Sequence, residues 1–305
     1  MKLKLISCFL VVGIITMSCK NSEQKGEIVE NEVEVVENKQ SEPFFKVSLA
    51  QWSMHKMIWN GEASPYDFAK KAKEWGFEGV EYVSGLYMDE LKKYGTEEEG
   101  MRALIERLKT ESEVAGVENL LIMVDDQGDL ADPDEAKRDL AVDAHKKWVD
   151  AAAALGCHSI RVNTFGSNDP DIWIETVVDG LRKLSEYAAT KNINILVENH
   201  GWMSSKAHLV MQAIEAVNLP NCGTLPDFGN WCVRRKDGEN WGACLEEYPD
   251  YYEGIQTLMP AAMAVSAKSY DFDENGDETK IDYNKMMKII KDEGYTGYIG
   301  VEYEG

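Results

Sequence analysis

Three carboxylates end short apolar runs in the C-terminal half of the chain. Glu198 follows Ile195-Leu196-Val197, Asp227 follows Thr224-Leu225-Pro226, and Glu302 follows Tyr298-Ile299-Gly300-Val301. A carboxylate carried on apolar sequence is costly to desolvate unless it is paired, hydrogen-bonded or bound to a cation. Oxygen donors of this kind suit Mn²⁺, Mg²⁺ or a related divalent ion. A single acid in such a place is also an ordinary helix cap, but three in succession point to a shared site. His200 lies two residues beyond Glu198, so strand alternation places both on one face. Other polar residues stand on or beyond similar runs: His55, Glu81, Asp125, Asp126, Arg161, Asn163, Ser266 and Lys268. Arg161 and Asn163 are either contacts for substrate hydroxyls or a structural pair at a strand end. Trp52, Trp202 and Trp231 either line a sugar site or simply pack. His145, in a helical stretch, and His158, at a strand start, suit structural roles.

The elements that must position these residues follow from the hydrophobic rhythm. From Phe44 onward, β-branched or apolar runs alternate with stretches of helical period. Strands are predicted at 47–52, 79–83, 117–124, 159–163, 193–198, 222–225, 262–267 and 298–302. Helices are predicted at 65–75, 99–115, 133–155, 171–190, 204–217, 245–258 and 283–292. Within 99–115, Met101, Leu104, Ile105 and Leu108 recur at helical spacing. Ser64-Pro65 is a helix start and Gly156 a helix stop. Strict alternation of strand and helix argues for a parallel sheet. Eight such strands in this length of chain predict a (β/α)₈ TIM barrel, an α/β fold, with no helix after the eighth strand. A doubly wound sheet would show a G-x-G-x-x-G loop after its first strand, and none follows Trp52. In such a barrel the chemistry sits where the strands end, which is where the residues above fall.

Charge and composition divide the chain. It has 305 residues, with 32 Lys and Arg against 54 Asp and Glu, for a net charge of −22. That balance disfavours nucleic acid, whose phosphates call for a basic surface. The first 18 residues, however, carry Lys2 and Lys4 and no acid. They precede an apolar run from Leu5 to Met17 that is short for a membrane span and suits an export signal. Thr16-Met17-Ser18-Cys19 resembles the lipobox of bacterial lipoproteins, although an aliphatic residue is usual where Thr16 stands. The resemblance implies export and a lipid on Cys19, which would anchor the chain at a bacterial membrane, periplasmic or cell-surface. Residues 20–43 contain seven Glu, three Lys and no aromatic residue. They bury too little apolar area to order, so 19–43 is expected to be an acidic tether and 44–305 the barrel. Cys157, Cys222, Cys232 and Cys244 form no C-x-x-C pair. Four unpaired thiols are expected of them, although export would permit one pair.

Gly76-Phe77-Glu78-Gly79-Val80-Glu81, Ile195-Leu196-Val197-Glu198-Asn199-His200, Thr224-Leu225-Pro226-Asp227 and Tyr298-Ile299-Gly300-Val301-Glu302 resemble the sugar phosphate isomerase/epimerase family, of the xylose isomerase-like TIM-barrel superfamily. Each motif is short; their order and strand positions carry the resemblance. It implies one divalent metal held by Glu198, Asp227 and Glu302. The family's usual H-x-K at the seventh strand is here Ser266-Ala267-Lys268, so the His is absent and the Lys kept. Either His200 supplies a nitrogen ligand, or the site is weaker, or the metal is lost. The implied chemistry is removal of a proton beside a sugar carbonyl through an enediolate. Glu198 and Glu302 would move the proton, and Lys268 would donate a proton or hold the oxyanion. Return of the proton gives an isomerase or epimerase. Expulsion of a neighbouring group gives a lyase, as in exported relatives that release the aglycone of 3-keto-glycosides. A sugar-binding lipoprotein without activity is a third reading, which would not need both Glu198 and Glu302.

Overall fold

The computed structural model describes residues 43–305. The expected signal at 1–18, the lipid attachment at Cys19 and the tether up to Glu42 lie outside the described residues. Ten strands follow in chain order: β1 (Lys46–Ala50), β2 (Gly79–Val83), β3 (Glu118–Val124), β4 (Ser159–Val162), β5 (Asn194–Glu198), β6 (Cys222–Leu225), β7 (Cys232–Arg235), β8 (Cys244–Glu247), β9 (Val265–Ser269) and β10 (Tyr298–Tyr303). Eight form one parallel sheet in the order β6-β5-β4-β3-β2-β1-β10-β9. The two ends of that order meet through parallel bridges at Thr224–Ala262 and Asp227–Ser266. Ser266 N donates to Pro226 O at 2.9 Å, and Phe228 N to Ser266 O at 3.1 Å. The sheet therefore closes into the TIM barrel that the sequence predicts. β10 pairs with β1 directly.

Period-two alternation sorts the strand side chains into two layers. Leu49, Val80, Tyr82, Ile122, Val124, Ile160, Val162, Ile195, Val197 and Ile299 belong to the large cluster packed under the helices. Ala50, Val83, Leu121, Met123, Leu196, Leu225 and Ala264 form a second, smaller cluster inside the barrel. The same parity directs Ser48, Glu81, Arg161, Glu198, Lys268 and Glu302 inward. Gly300 makes room for one of them: a Cβ there would lie 2.5 Å from both carboxylate oxygens of Glu81. Desolvation pushes the buried Glu81 up to about 7, opposed by Ser48 Oγ, which donates to it at 2.6 Å.

Helices cover the outside, and local chemistry sets their ends. Thr96, Asp134 and Asp169 cap the helices Glu97–Ala115, Glu135–Leu155 and Pro170–Ala189 by accepting from backbone N–H groups in the first turn. Gly116 and Gly156 end the first two in the left-handed region, at φ +68° and +79°. Ala207–Val217, Tyr251–Leu258 and Tyr283–Asp292 complete the returns to β6, β9 and β10. No described helix is long and apolar enough to cross a membrane.

Two expectations are corrected in the connection from β6 to β9. The helix predicted at 245–258 starts only at Tyr251. Pro249 lacks the N–H a helix needs, and Asp250 caps the new start through Tyr252 N and Glu253 N. The residues before it instead form an antiparallel hairpin, β7 with β8. Its two strands are tied by a disulfide between Cys232 and Cys244, residues expected to be unpaired thiols. The ladder pairs Cys232 with Glu247 and Cys244 with Arg235, and across it the two cysteine Cα atoms lie 5.8 Å apart, within bridging distance. Cys157 and Cys222 are free and buried.

Candidate functional site

The C-terminal ends of the strands bring three buried carboxylates together. Glu198 ends β5, Asp227 follows β6, and Glu302 lies on β10. One oxygen from each lies within 4.8 Å of the others. Each is held from behind. Asn199 Nδ2 donates to Asp227 O at 2.9 Å, and Asp227 N returns a bond to Asn199 Oδ1 at 2.7 Å. This reciprocal pair locks the end of β6 to the end of β5. Asp227 Oδ1 accepts from Gly229 N and Asn230 N, and its Oδ2 accepts from Ser266 Oγ at 2.5 Å. Asn230 Nδ2 donates to Glu198 Oε1 at 3.0 Å.

Two buried cations face the carboxylates. Arg161, inward on β4, places Nη1 2.7 Å from Asp125 Oδ1 and Nε 2.7 Å from Glu198 Oε2. The second contact is close but not aligned, so Glu198 Oε2 meets no well-directed donor among the described residues. Lys268, on β9, lies 2.7 Å from Glu302 Oε1 and 2.9 Å from Glu304 Oε2. Burial works against the Lys268 ammonium, but Glu302, Asp227, Glu304 and Glu198 hold it well above its ordinary value. Burial raises both Glu198 and Asp227 above the usual carboxylate range; Glu302 adds repulsion to each, while Arg161 opposes the rise at Glu198 and Lys268 at Asp227. Burial also opposes ionisation of Asp125, but Arg161, with Asn163 donating to the same carboxylate, keeps it below its ordinary value.

The acids Asp125, Glu198, Asp227, Glu302 and Glu304 thus outnumber Arg161 and Lys268. A surplus of acids over cations, three of the acids buried and one carboxylate oxygen undirected, fits a divalent cation with oxygen ligands. Nitrogen is not part of that convergent group. His200 Nδ1 is hydrogen-bonded with Asn163 Oδ1 at 2.7 Å and stands 3.8 Å from Glu198 Oε2. Desolvation, followed by Arg161 and Lys268, drives its pKa well below the ordinary histidine value, so the ring is neutral. At the seventh strand, Ser266 spends its hydroxyl on Asp227.

Above this floor opens a cavity of about 560 Å³. Arg161, His200, Lys268 and Glu302 reach its base; Trp52, Trp59 and Trp241 stand on its walls.

A family model described as xylose isomerase-like TIM barrel matches residues 69–305. The chain belongs to that family. Among solved structures, the barrel is similar to the apo form of 3-keto-D-glucoside 4-epimerase, YcjR, from E. coli. The TM-score is 0.60 at 18% identity, over 79% of this chain and 87% of that one. It is also similar to D-psicose 3-epimerase from Clostridium cellulolyticum H10, with a TM-score of 0.61 at 15% identity over 84% of each chain. Two curated relatives match a short stretch. One is the 3'-dehydrocarminate deglycosidase alpha subunit of a Microbacterium species, 40% identical over 53 residues, 17% of this chain and 15% of that protein. The other is the C-glycoside deglycosidase alpha subunit of Arthrobacter globiformis, 42% identical over 48 residues, 16% of this chain and 14% of that protein. The matched stretch therefore spans only about one-seventh of either relative's length.

This xylose isomerase-like barrel places the sequence-derived residues unevenly. Glu198, Asp227, Glu302, Lys268, Arg161, Asn163 and His200 form one connected network. Trp52 borders it, with Nε1 donating to Glu304 Oε2 at 3.0 Å. His55 is buried behind, its ring stacked on Trp52 at 4.4 Å. Glu81 lies deeper in the barrel, paired with Ser48. Trp202 and Trp231, named as aromatic candidates for the mouth, pack away from it. Trp202 is buried and donates Nε1 to Glu239 O. Trp231 is buried beneath Gly254, where a Cβ would lie 2.4 Å from its ring, and donates to Phe228 O. Sequence reasoning passed over Asn230, Glu304, Trp59 and Trp241. Glu304 had a signal, since it lies two residues beyond Glu302 and shares its strand face. Trp241 had none, because no element is predicted between 225 and 245.

Arg161 links the buried Glu198 to the half-buried Asp125, so its loss leaves both without their cation. Arg161→Met is expected to cost about 3–5 kcal/mol in urea denaturation. A loss below about 1 kcal/mol would show that the pair carries little of the stability.

Proposed function

We propose that this chain is a carbohydrate enzyme that removes a proton from the carbon beside a sugar carbonyl and returns it, as an epimerase or isomerase. One observation carries the reading: Glu302 reaches the base of an open cavity, and the buried Glu198 and Asp227 converge on it within 4.8 Å. A base and a conjugate acid on different strands serve the two proton transfers, each worth roughly 10²–10⁴-fold. One carboxylate takes the proton, and the C–H electron pair moves toward the carbonyl oxygen to give an enediolate. Return of a proton to the other face gives the epimer, and return to the neighbouring carbon gives the isomer. Lys268 and Arg161 supply positive charge next to the developing oxyanion. The names of the two epimerases with the same fold accord with this reading.

A divalent ion belongs to the proposal, with Glu198, Asp227 and Glu302 as its ligands and His200 as the available neutral nitrogen beside them. When bound, it would act as a Lewis acid toward the carbonyl and hydroxyl oxygens. Mn²⁺ titrated into metal-stripped protein is expected to raise the melting temperature, and Asp227→Asn to weaken that shift at least tenfold in Mn²⁺ concentration. Equal responses of wild type and Asp227→Asn would remove the ion from this site.

Elimination from the same enediolate is a second reading. There the bond from the neighbouring carbon to the aglycone breaks, and the aglycone leaves with the electron pair and takes a proton from an acid of the site. The likeness to two deglycosidase subunits favours it. Incubation in D₂O with a ketose, and separately with a 3-keto-glycoside, distinguishes the outcomes. Deuterium at the carbon beside the carbonyl with the aglycone retained is expected of an epimerase, and aglycone release of a lyase. Glu198→Gln is expected to lower either rate at least 10²-fold. Neither deuterium nor release from either substrate leaves the sugar-binding lipoprotein.

Export with a lipid on Cys19 completes the proposal. The Cys232–Cys244 disulfide supports it, because such bonds persist in oxidising compartments. Labelling with radioactive palmitate in bacterial cells is expected to mark the wild type and not Cys19→Ala; equal labelling overturns the anchor.

A further inference from the structure

The cavity is amphiphilic, and its two halves come from different parts of the chain. Its base is charged and buried, whereas its rim presents two indoles to solvent, Trp59 at 63% exposure and Trp241 at 47%. Trp59 ends the short helix His55–Trp59 that follows β1 and meets Trp52 and His55 edge-on at 5.3 and 4.9 Å. Trp241 sits in the β7–β8 connection and meets His200, beyond β5, and Phe165, beyond β4, at 4.9 and 5.3 Å. In the closed ring β1 and β5 lie on opposite sides, so the two indoles face each other across the mouth. Exposed indoles bordering one concave site mark a surface that a ligand covers.

A cation stands beside the second indole. Arg161 and Lys268 are each matched to carboxylates, but Arg235 has no carboxylate partner among the described residues. It lines the same cavity, Nη1 donates to Gly242 O at 2.7 Å, and its buried Nε–H meets no acceptor. Val83, Leu86 and Met123 add apolar lining to the same cavity. A second sugar ring packed against these apolar side chains would bring hydroxyls away from water without partners on that side. A planar aromatic group would need few.

We propose that Trp59 and Trp241 clamp a planar aromatic aglycone, with Arg235 donating to an oxygen substituent on it, while the carboxylate floor takes the sugar. The substrate class is then an aryl glycoside whose sugar carries a carbonyl. This assignment rests on the proposed sugar chemistry of the floor and extends it to the other half of the substrate. It makes the disulfide-tied hairpin the specificity element of the enzyme.

The test is equilibrium binding, which needs no turnover. Phenyl β-D-glucoside, methyl β-D-glucoside and cellobiose are titrated into the whole protein by calorimetry. Phenyl glucoside is expected to bind about tenfold more tightly than either of the others. Trp59→Ala and Trp241→Ala are expected to bring that ratio close to one, and Trp241→Phe to keep most of it. Trp59→Ala touches an exposed side chain, and Trp241→Phe retains an aromatic ring, so both guard against loss of folding. The 4-hydroxyphenyl glucoside is expected to gain a further several-fold, and Arg235→Gln to remove that gain. Equal affinities, a preference for cellobiose, no measurable binding of any glucoside, or a ratio unchanged in Trp59→Ala overturns the clamp. The D₂O experiment fails separately. An aryl preference without deuterium exchange or aglycone release leaves the clamp and overturns the proton-transfer reading; turnover without an aryl preference does the reverse.

Discussion

The structure depends on a surplus of buried carboxylate at one end of the barrel. Taking an ionised carboxylate out of water costs several kcal/mol unless its surroundings replace the lost hydration. Replacement here is specific to each acid. Asp227 is held by backbone N–H groups and by Ser266, Glu302 by Lys268, and Glu198 by Asn230 and by a close contact with Arg161. Arg161 and Lys268 are fewer than the acids around them. That imbalance ties the strand ends together and leaves the floor suited to a further cation or to protons in transit.

Such an imbalance is tolerable only on a rigid support. β4, β5 and β10 carry Arg161, Glu198 and Glu302 inward by simple alternation, and their intervening residues lock into the layer beneath the helices. A one-residue slip of any of these strands would turn its charged side chain into apolar packing. The barrel closes weakly between β6 and β9, through isolated bridges, and there the site adds bonds of its own. Ser266 Oγ to Asp227 and the reciprocal Asn199–Asp227 pair cross the ends of β5, β6 and β9. Residues that position the proposed chemistry thus also complete the sheet.

The mouth follows a different logic. Its aromatic surface comes from excursions beyond the strands: a short helix after β1 and a hairpin after β6. The hairpin contributes little to the core and is held by a disulfide and by Trp202 Nε1 on Glu239 O. The barrel fixes the floor, and an element free to vary fixes what the rim accepts.

Much of this was legible in the sequence, and the division has a physical cause. Periodicity and capping are local, so β2, β6 and the helix Tyr283–Asp292 fall at their predicted bounds, as does the alternation that defines a parallel barrel. Glu198, Asp227 and Glu302 could be named because an acid on an apolar strand stands out against its own neighbours. The β7–β8 hairpin could not, since Leu245–Leu258 carries apolar residues at helical spacing and only Pro249 and Asp250 argue otherwise. The disulfide depends on the approach of two strands in a hairpin, a non-local contact. Trp202 and Trp231 were indistinguishable from Trp59 and Trp241 by residue type; burial under Gly254 and the bond to Glu239 separate them. The sequence by itself determined the barrel and its acidic floor, because strand period and the cost of desolvating charge are properties of short segments. Which cation meets which acid, and which indoles line the mouth, only the tertiary structure decided, because those contacts join residues that the chain keeps far apart.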